Sequence, residues 1–202
     1  MSEWWTYRLS DFLMFSPQAY GRLVETYNQQ LWPGPLAAGL LGVVALALAM
    51  RGGVGAGRAL MALLALAWFW VAWAFLTQHY ATIFLAAPHL ALAFEIQALL
   101  FALLACAPVT RSAPTSRLAR RTGMGLAVLG LLGYPLLAPA LGRPWSQAEV
   151  FGWMPDPTAL VSLGLLLASG LRLARVPRWL LMVVPALALV FGAATQWELW
   201  KR

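Results

Sequence analysis

Cysteine occurs once in this chain, at Cys106, which excludes an intramolecular disulfide; near the inner end of an apolar run, a reduced, buried thiol is expected there. Charge is scarce as well. Only 10 % of the residues are Asp, Glu, Lys or Arg against 61 % hydrophobic, and the mean hydropathy is +0.72, so a soluble domain would lack the polar surface to cover itself. Long apolar–polar alternation is missing too. A chain in lipid must satisfy its backbone internally, as helices or a closed barrel, and the missing alternation leaves helices. The first thirty residues lack the basic start, apolar stretch and small-residue cleavage site of a signal peptide.

What is present is six apolar runs, near residues 31–50, 59–78, 88–109, 123–141, 157–171 and 179–196. A hydrocarbon core about 30 Å thick takes roughly 20 helical residues to cross, and the fifth run is the shortest. The expected fold is an all-α membrane protein: one integral membrane domain over residues 1–202, with six transmembrane helices. Residues 1–30 form an outer-surface segment, 31–196 the bundle and 197–202 a short tail.

Arg51 and Arg58 fall in the first connection, Arg111, Arg117, Arg120 and Arg121 in the third, and Arg172, Arg175 and Arg178 in the fifth, with no acid among them. Cations near helix ends stay on the cytoplasmic side, so both termini are expected outside, periplasmic or extracellular, with the chain multi-pass in the inner membrane. The formal charge of +7 is spread over short loops without interleaved aromatics or a basic recognition helix. Those arginines read as topology determinants touching anionic lipid, and nucleic acid is not an expected partner.

Ser16 before Pro17 is a helix-cap signal, and Tyr20, Leu23, Val24, Tyr27 and Leu31 recur at three- and four-residue steps opposite Gln18, Arg22, Glu25, Asn28 and Gln29. This predicts an amphipathic interfacial helix on the outer surface, anchored by Trp4, Trp5 and Trp32. Helices one and five follow similar Trp- and Pro-rich stretches, which record an old duplication or only the usual residues of a membrane interface. Gly130, Gly133, Pro135 and Pro139 predict a kink or a close neighbour in helix four, and a pocket can open at such a break. Asp156 before Pro157 reads first as a cap accepting free amide hydrogens, and second as a binding group.

Glu95 is the ionisable residue these spans place well inside the membrane, roughly 10 Å from the outer end of its helix. Ala91, Ala98, Ala102 and Ala105 share its face, so the carboxylate is expected to point into the bundle, as a structural tie or as part of a proton path. His79 and Tyr80, in the turn after helix two, and His89, at the start of helix three, lie near the same end. They could form a chain inward to Glu95, although six residues leave His89 and Glu95 about 120° apart around the helix. No HxxxH or HxxE spacing supports metal or haem at the two histidines, so no cofactor is expected. Trp70 and Trp73 share a face and line either a cleft or an interface belt. Arg51-Gly52-Gly53-Val54-Gly55-Ala56-Gly57-Arg58 follows a helix and lacks the Lys-Ser/Thr pair of a phosphate loop, and no catalytic motif is found, so an enzyme is not expected.

Tyr27-Asn28-Gln29-Gln30-Leu31-Trp32-Pro33, ahead of the first helix, and Pro155-Asp156-Pro157-Thr158, leading into Ser162-Leu163-Gly164-Leu165-Leu166, resemble a family of bacterial multi-pass membrane proteins catalogued as a domain of unknown function. The likeness spans nearly the whole chain in order and helix count. It implies the class and no mechanism; members are sometimes labelled permeases. Where the family pattern often reads Pro-Cys-Pro-Thr, this chain has Asp156, which argues against thiol chemistry there.

Three functions remain open: a permease-like transporter of a small solute or ion, proton-linked through Glu95; an accessory or assembly subunit of a larger membrane complex; or a haem- or metal-binding protein using His79 and His89. Lipid bilayer is the expected surrounding. A homo-oligomer would supply more helices, and the small-residue step from Gly164 to Ala168 offers a contact for it.

Overall fold

Ser16 Oγ accepts the Ala19 amide hydrogen at 3.2 Å with Pro17 in the first turn, and helix α1 (Pro17–Gln30) follows. The structure, a computed structural model, describes residues 15–106, 109–110, 116–169, 172–173 and 178–201. Trp4 and Trp5 lie outside these residues, as do Arg111 and Arg175.

Each of the six apolar runs contains a helix among the described residues. Helix α2 (Gly34–Arg51) ends at Gly52 and Gly53, whose φ of 65° and 86° suit glycine alone and turn the chain back. Helix α3 (Val54–Trp70) continues through a π-helical stretch, Val71–Thr77, and α4 (Ala87–Cys106) returns. Helix α5 (Arg117–Val128) widens into a π-helical Leu129–Gly133 before α6 (Tyr134–Ala140), the break expected from Gly130 and Pro135. Helices α7 (Pro155–Ala168) and α8 (Arg178–Trp200) complete the bundle. Among the described residues, five helical segments are long and apolar enough to cross a membrane: Gly34–Arg51, Val54–Thr82, Ala87–Cys106, Arg117–Ala140 and Trp179–Glu198.

Helix α7 differs from these. Its 14 residues span about 21 Å, and the buried ones include Asp156, Thr158, Ser162, Gly164, Leu165 and Ala168. It forms the axis of the bundle, with α5, α8 and α2 packed on it. Gly123 of α5 and Gly164 of α7 bring two backbones together: a Cβ on Gly164 would lie 2.5 Å from Ala127 N and 2.6 Å from Gly123 O. The Gly164–Ala168 step is therefore used within the chain, correcting its expected use between copies; both residues are buried against α5. On another face, Trp68 donates to Ser162 Oγ at 2.9 Å while its ring packs on Phe94 with centroids 4.3 Å apart.

A two-residue antiparallel pairing of β1 (Val109–Thr110) with β2 (Arg172–Leu173) joins the third and fifth connections. Met50, at the end of α2, shares a hollow with Arg117, Arg120 and Arg121. The three arginine-bearing connections thus meet at one end. At the other lie α1, the turn around Tyr80 and the connection before α7. The apolar face of α1 is turned inward: Val24 and Tyr27 are fully buried, and Tyr27 packs on Trp153 at 5.1 Å and Phe75 at 5.5 Å. The expected lipid-facing side of α1 is protein-covered instead, because the aromatic rings beneath it offer a ready apolar seat; Trp32, just beyond it, is exposed.

Candidate acidic site

The connection into α7 is drawn inward by its own backbone. Gly152, at φ 72°, donates its amide hydrogen to Thr158 Oγ1 at 2.8 Å, and Thr158 Oγ1 donates to Met154 O at 2.6 Å. Trp153 stacks between Tyr27 and Trp70, whose centroids lie 5.1 and 5.5 Å away. With Phe151, Trp153 and Met154 buried this way, Glu149 is carried inside, only 5 % exposed.

Asp156 occupies the second position of α7, after Met154 at the cap and Pro155 at the first. The cap reading is corrected by this register: the helix starts one residue before Asp156, and its side chain turns across the bundle. Asp156 Oδ2 accepts the Tyr134 hydroxyl hydrogen at 3.1 Å. Helix α8 runs over the same carboxylate so closely that a Cβ on Gly192 would collide with it. Tyr20 OH donates to Glu149 Oε1 across a long 3.4 Å, whereas Glu149 Oε2, Thr195 Oγ1 and Arg143 Nε have no partner.

Tyr20, Tyr80, Asp156, Gly192, Thr195 and Gln196 line a cavity of about 50 Å³. A water needs about 10–15 Å³ of such space, so the cavity holds a few waters or a small ion and excludes an organic solute in this conformation. Tyr20 bridges the acids, lining the cavity and bonding Glu149. Burial raises the Glu149 carboxyl above its ordinary pKa, and the Asp156 charge adds to the rise, while Arg143 and the Tyr20 bond oppose it. The Tyr20 phenol is raised well above 10.0, chiefly by burial and then by Glu149. Two carboxylates ringed by phenols, neither ion-paired with a described residue, make a site suited to holding a proton or a small cation.

Residues 18–199 match the model of a family of unknown function, DUF6064. The chain belongs to this DUF6064 family. The match contains every residue of the acidic site, from Tyr20 to Gln196. No curated protein and no solved structure matches the chain.

Of the residues singled out in the sequence, this DUF6064 structure brings Asp156 and Tyr80 together at the cavity. Glu95 is elsewhere. It lies on the exposed face of α4, flanked by the exposed Leu92, Ile96 and Leu99, which corrects its expected inward direction. The buried stripe is Ala91, Phe94, Ala98 and Phe101, and the bulk of the two rings, rather than the small alanines, decides which side faces the core. The inward polar residue is Gln97, about 200° around the helix from Glu95, whose Nε2 donates to Leu181 O at 3.1 Å. His89 is exposed in the first turn of α4. His79 bonds the Ala74 carbonyl through Nδ1 at 2.7 Å and packs on Tyr27 at 4.7 Å, so the His79–His89–Glu95 chain does not assemble. Among the described residues, no group of three or more His, Cys, Asp and Glu side chains converges as a metal site would require. Trp70 donates to Tyr27 OH at 3.1 Å and meets Trp73 edge-on at 5.8 Å, with Trp73 half exposed.

Glu149 and Tyr134 were not singled out from sequence. The available signal for Glu149 was a lone acid followed by Val150-Phe151-Gly152-Trp153-Met154, a connection too apolar to stay in water.

Proposed function

We propose that this is a small permease-like protein of the inner membrane that takes up a proton or small cation at Asp156 and Glu149 and couples it to passage of a solute or ion. The carrying observation is the pair of buried carboxylates, Asp156 on the wall of the small cavity and Glu149 joined to that wall through Tyr20, without an ion-pair partner among the described residues. Two negative charges sharing a poorly hydrated site are costly, and a bound proton or cation relieves the cost. The titrating role expected of Glu95 passes in this reading to Glu149 and Asp156. Tyr134, which holds Asp156, sits where the π-helical stretch gives way to α6, so a change of helix geometry there would alter the site directly. The topology is six spans with the arginine-bearing end in the cytoplasm and both termini outside.

Reconstitution into vesicles with a trapped pH dye tests this reading under imposed gradients of sodium, potassium or a small amine. Proton movement is expected in the wild type, lost in Asp156→Asn and kept in Glu95→Gln. Wild-type vesicles as proton-tight as protein-free ones under all three gradients would overturn it.

A second reading, an accessory subunit, draws on Glu95. Its carboxylate lies on the outward face of a candidate spanning helix, eight residues or roughly 12 Å in from Ala87. A neighbouring protein with a hydrogen-bond donor at that depth would satisfy it. Crosslinks from a photoreactive residue at position 95 to one stoichiometric protein in native membranes support this reading; labelling of lipid alone contradicts it.

A further inference from the structure

Helix α8 carries a proline in its interior, Pro185. Proline has no amide hydrogen, so the Leu181 carbonyl, which an unbroken helix would satisfy from position 185, loses its donor. Another helix supplies one. Gln97 of α4 donates from Nε2 to Leu181 O at 3.1 Å. Gln97, Leu181 and Pro185 are all buried, so bulk water does not reach this bond. The amide's Oε1 has no partner, and the carbonyl left bare by Pro185 is the one group Gln97 serves among the described residues.

What lies beyond the proline gives this repair its consequence. The next turns of α8 supply Ala188, Phe191, Gly192, Thr195 and Gln196 to the wall of the acidic cavity, and Gly192 rests against the Asp156 carboxylate. Gly192 is seven residues past Pro185, roughly 10 Å along the helix, so a further bend of about 15° at the proline would lift it by roughly 3 Å. The opposite side of this arm is exposed at Leu187 and Val190, which leaves the bend free of described neighbours. A cavity too small for an organic solute as it stands would thus open by the movement of one wall.

We infer that the arm of α8 over residues 185–196 is the moving wall of the acidic cavity, hinged at Pro185, and that Gln97 is the positioning residue that latches it shut. The inference rests on reading the cavity at Asp156 as the functional site. While Gln97 bonds Leu181 O, the turn ahead of the hinge is tied to α4 and Gly192 stays down on Asp156. Without that bond a buried acceptor is left bare, and the helix relieves it by bending at the proline until the carbonyl reaches another donor or water.

The test reads how often the arm lifts. In the full-length protein in detergent, Cys106→Ser removes the one native thiol and Thr195→Cys places a new one on the cavity wall, where a small methanethiosulfonate reagent reaches it only when the cavity opens. Gln97→Leu should raise the labelling rate about tenfold, the population change expected for one hydrogen bond. Adding Pro185→Ala returns an amide hydrogen to Leu181 O and should bring the rate back to within about twofold of its starting value. An unchanged rate in Gln97→Leu would overturn the inference, and so would a rise that persists with Pro185→Ala, since Gln97 would then act by some route other than the bare carbonyl. Should Gln97→Leu fail to fold, recovery of folded protein by Pro185→Ala supports the latch, and failure of both variants overturns it. Labelling at position 195 does not depend on proton movement, so vesicles that carry no protons would overturn the transport reading and leave the latch standing.

Discussion

The Tyr134 hydroxyl donates to Asp156 Oδ2 across 3.1 Å, and this bond ties the broken helix α5–α6 to the N-terminal end of the short axial helix α7. A hydrogen bond to a buried charged group is worth about 1.5–3 kcal/mol. Tyr134→Phe keeps the ring and removes the donor, so a loss of that order is expected in denaturant unfolding of the detergent-solubilised protein. A loss below about 0.5 kcal/mol would show that Asp156 is served by another donor.

Stability should fall as pH rises through the range in which Glu149 gives up its proton. The folded pKa is raised above the ordinary 4.5, so the folded state binds more protons than the unfolded one. The contribution is fully present below the unfolded value and is lost as pH climbs through the folded one. Glu149→Gln cannot ionise and should flatten the thermal-midpoint profile across that window. A midpoint that rises with pH in the wild type and loses that rise in Glu149→Gln would reverse the assigned sign.

Gly164→Val is expected to be among the most damaging single changes. The added carbons meet Ala127 N and Gly123 O, which are backbone atoms unable to swing aside. Overpacking of this kind costs about 1–3 kcal/mol or prevents folding. Gly39→Val, at a glycine with open space around it, serves as the matched control and should cost less than about 1 kcal/mol. Similar losses in both would place the helix crossing elsewhere.

Glu95→Leu should leave the unfolding midpoint of the isolated protein unchanged or raised, because the carboxylate lies among the exposed Leu92, Ile96 and Leu99. A loss of more than about 1 kcal/mol would indicate an inward partner.

Much of this fold is legible in the residues. Hydropathy located all six apolar helices, Ser16 and Pro17 marked the start of α1, and the Gly130–Pro135 stretch marked the break in helix four. Facing was harder to read. The small residues of α4 pointed to Glu95 as inward, yet packing volume favoured the face of Phe94 and Phe101, with Gln97 as the buried polar group. In lipid both faces of a helix are apolar, so the periodicity that reveals a buried side in water is largely erased. Glu149 was hidden for a different reason: its burial depends on Thr158 and Trp153 folding the connection back onto the bundle, a long-range arrangement that local patterns do not encode.

Glu149 holding a proton at neutral pH is the claim on which the acidic-site account turns, and infrared difference titration of the reconstituted protein reads it directly. A protonated-carboxyl band should persist at pH 7, where a free carboxyl is ionised, and disappear in Glu149→Gln. A wild-type spectrum with no such band at pH 7, or a band unchanged by the substitution, would contradict it.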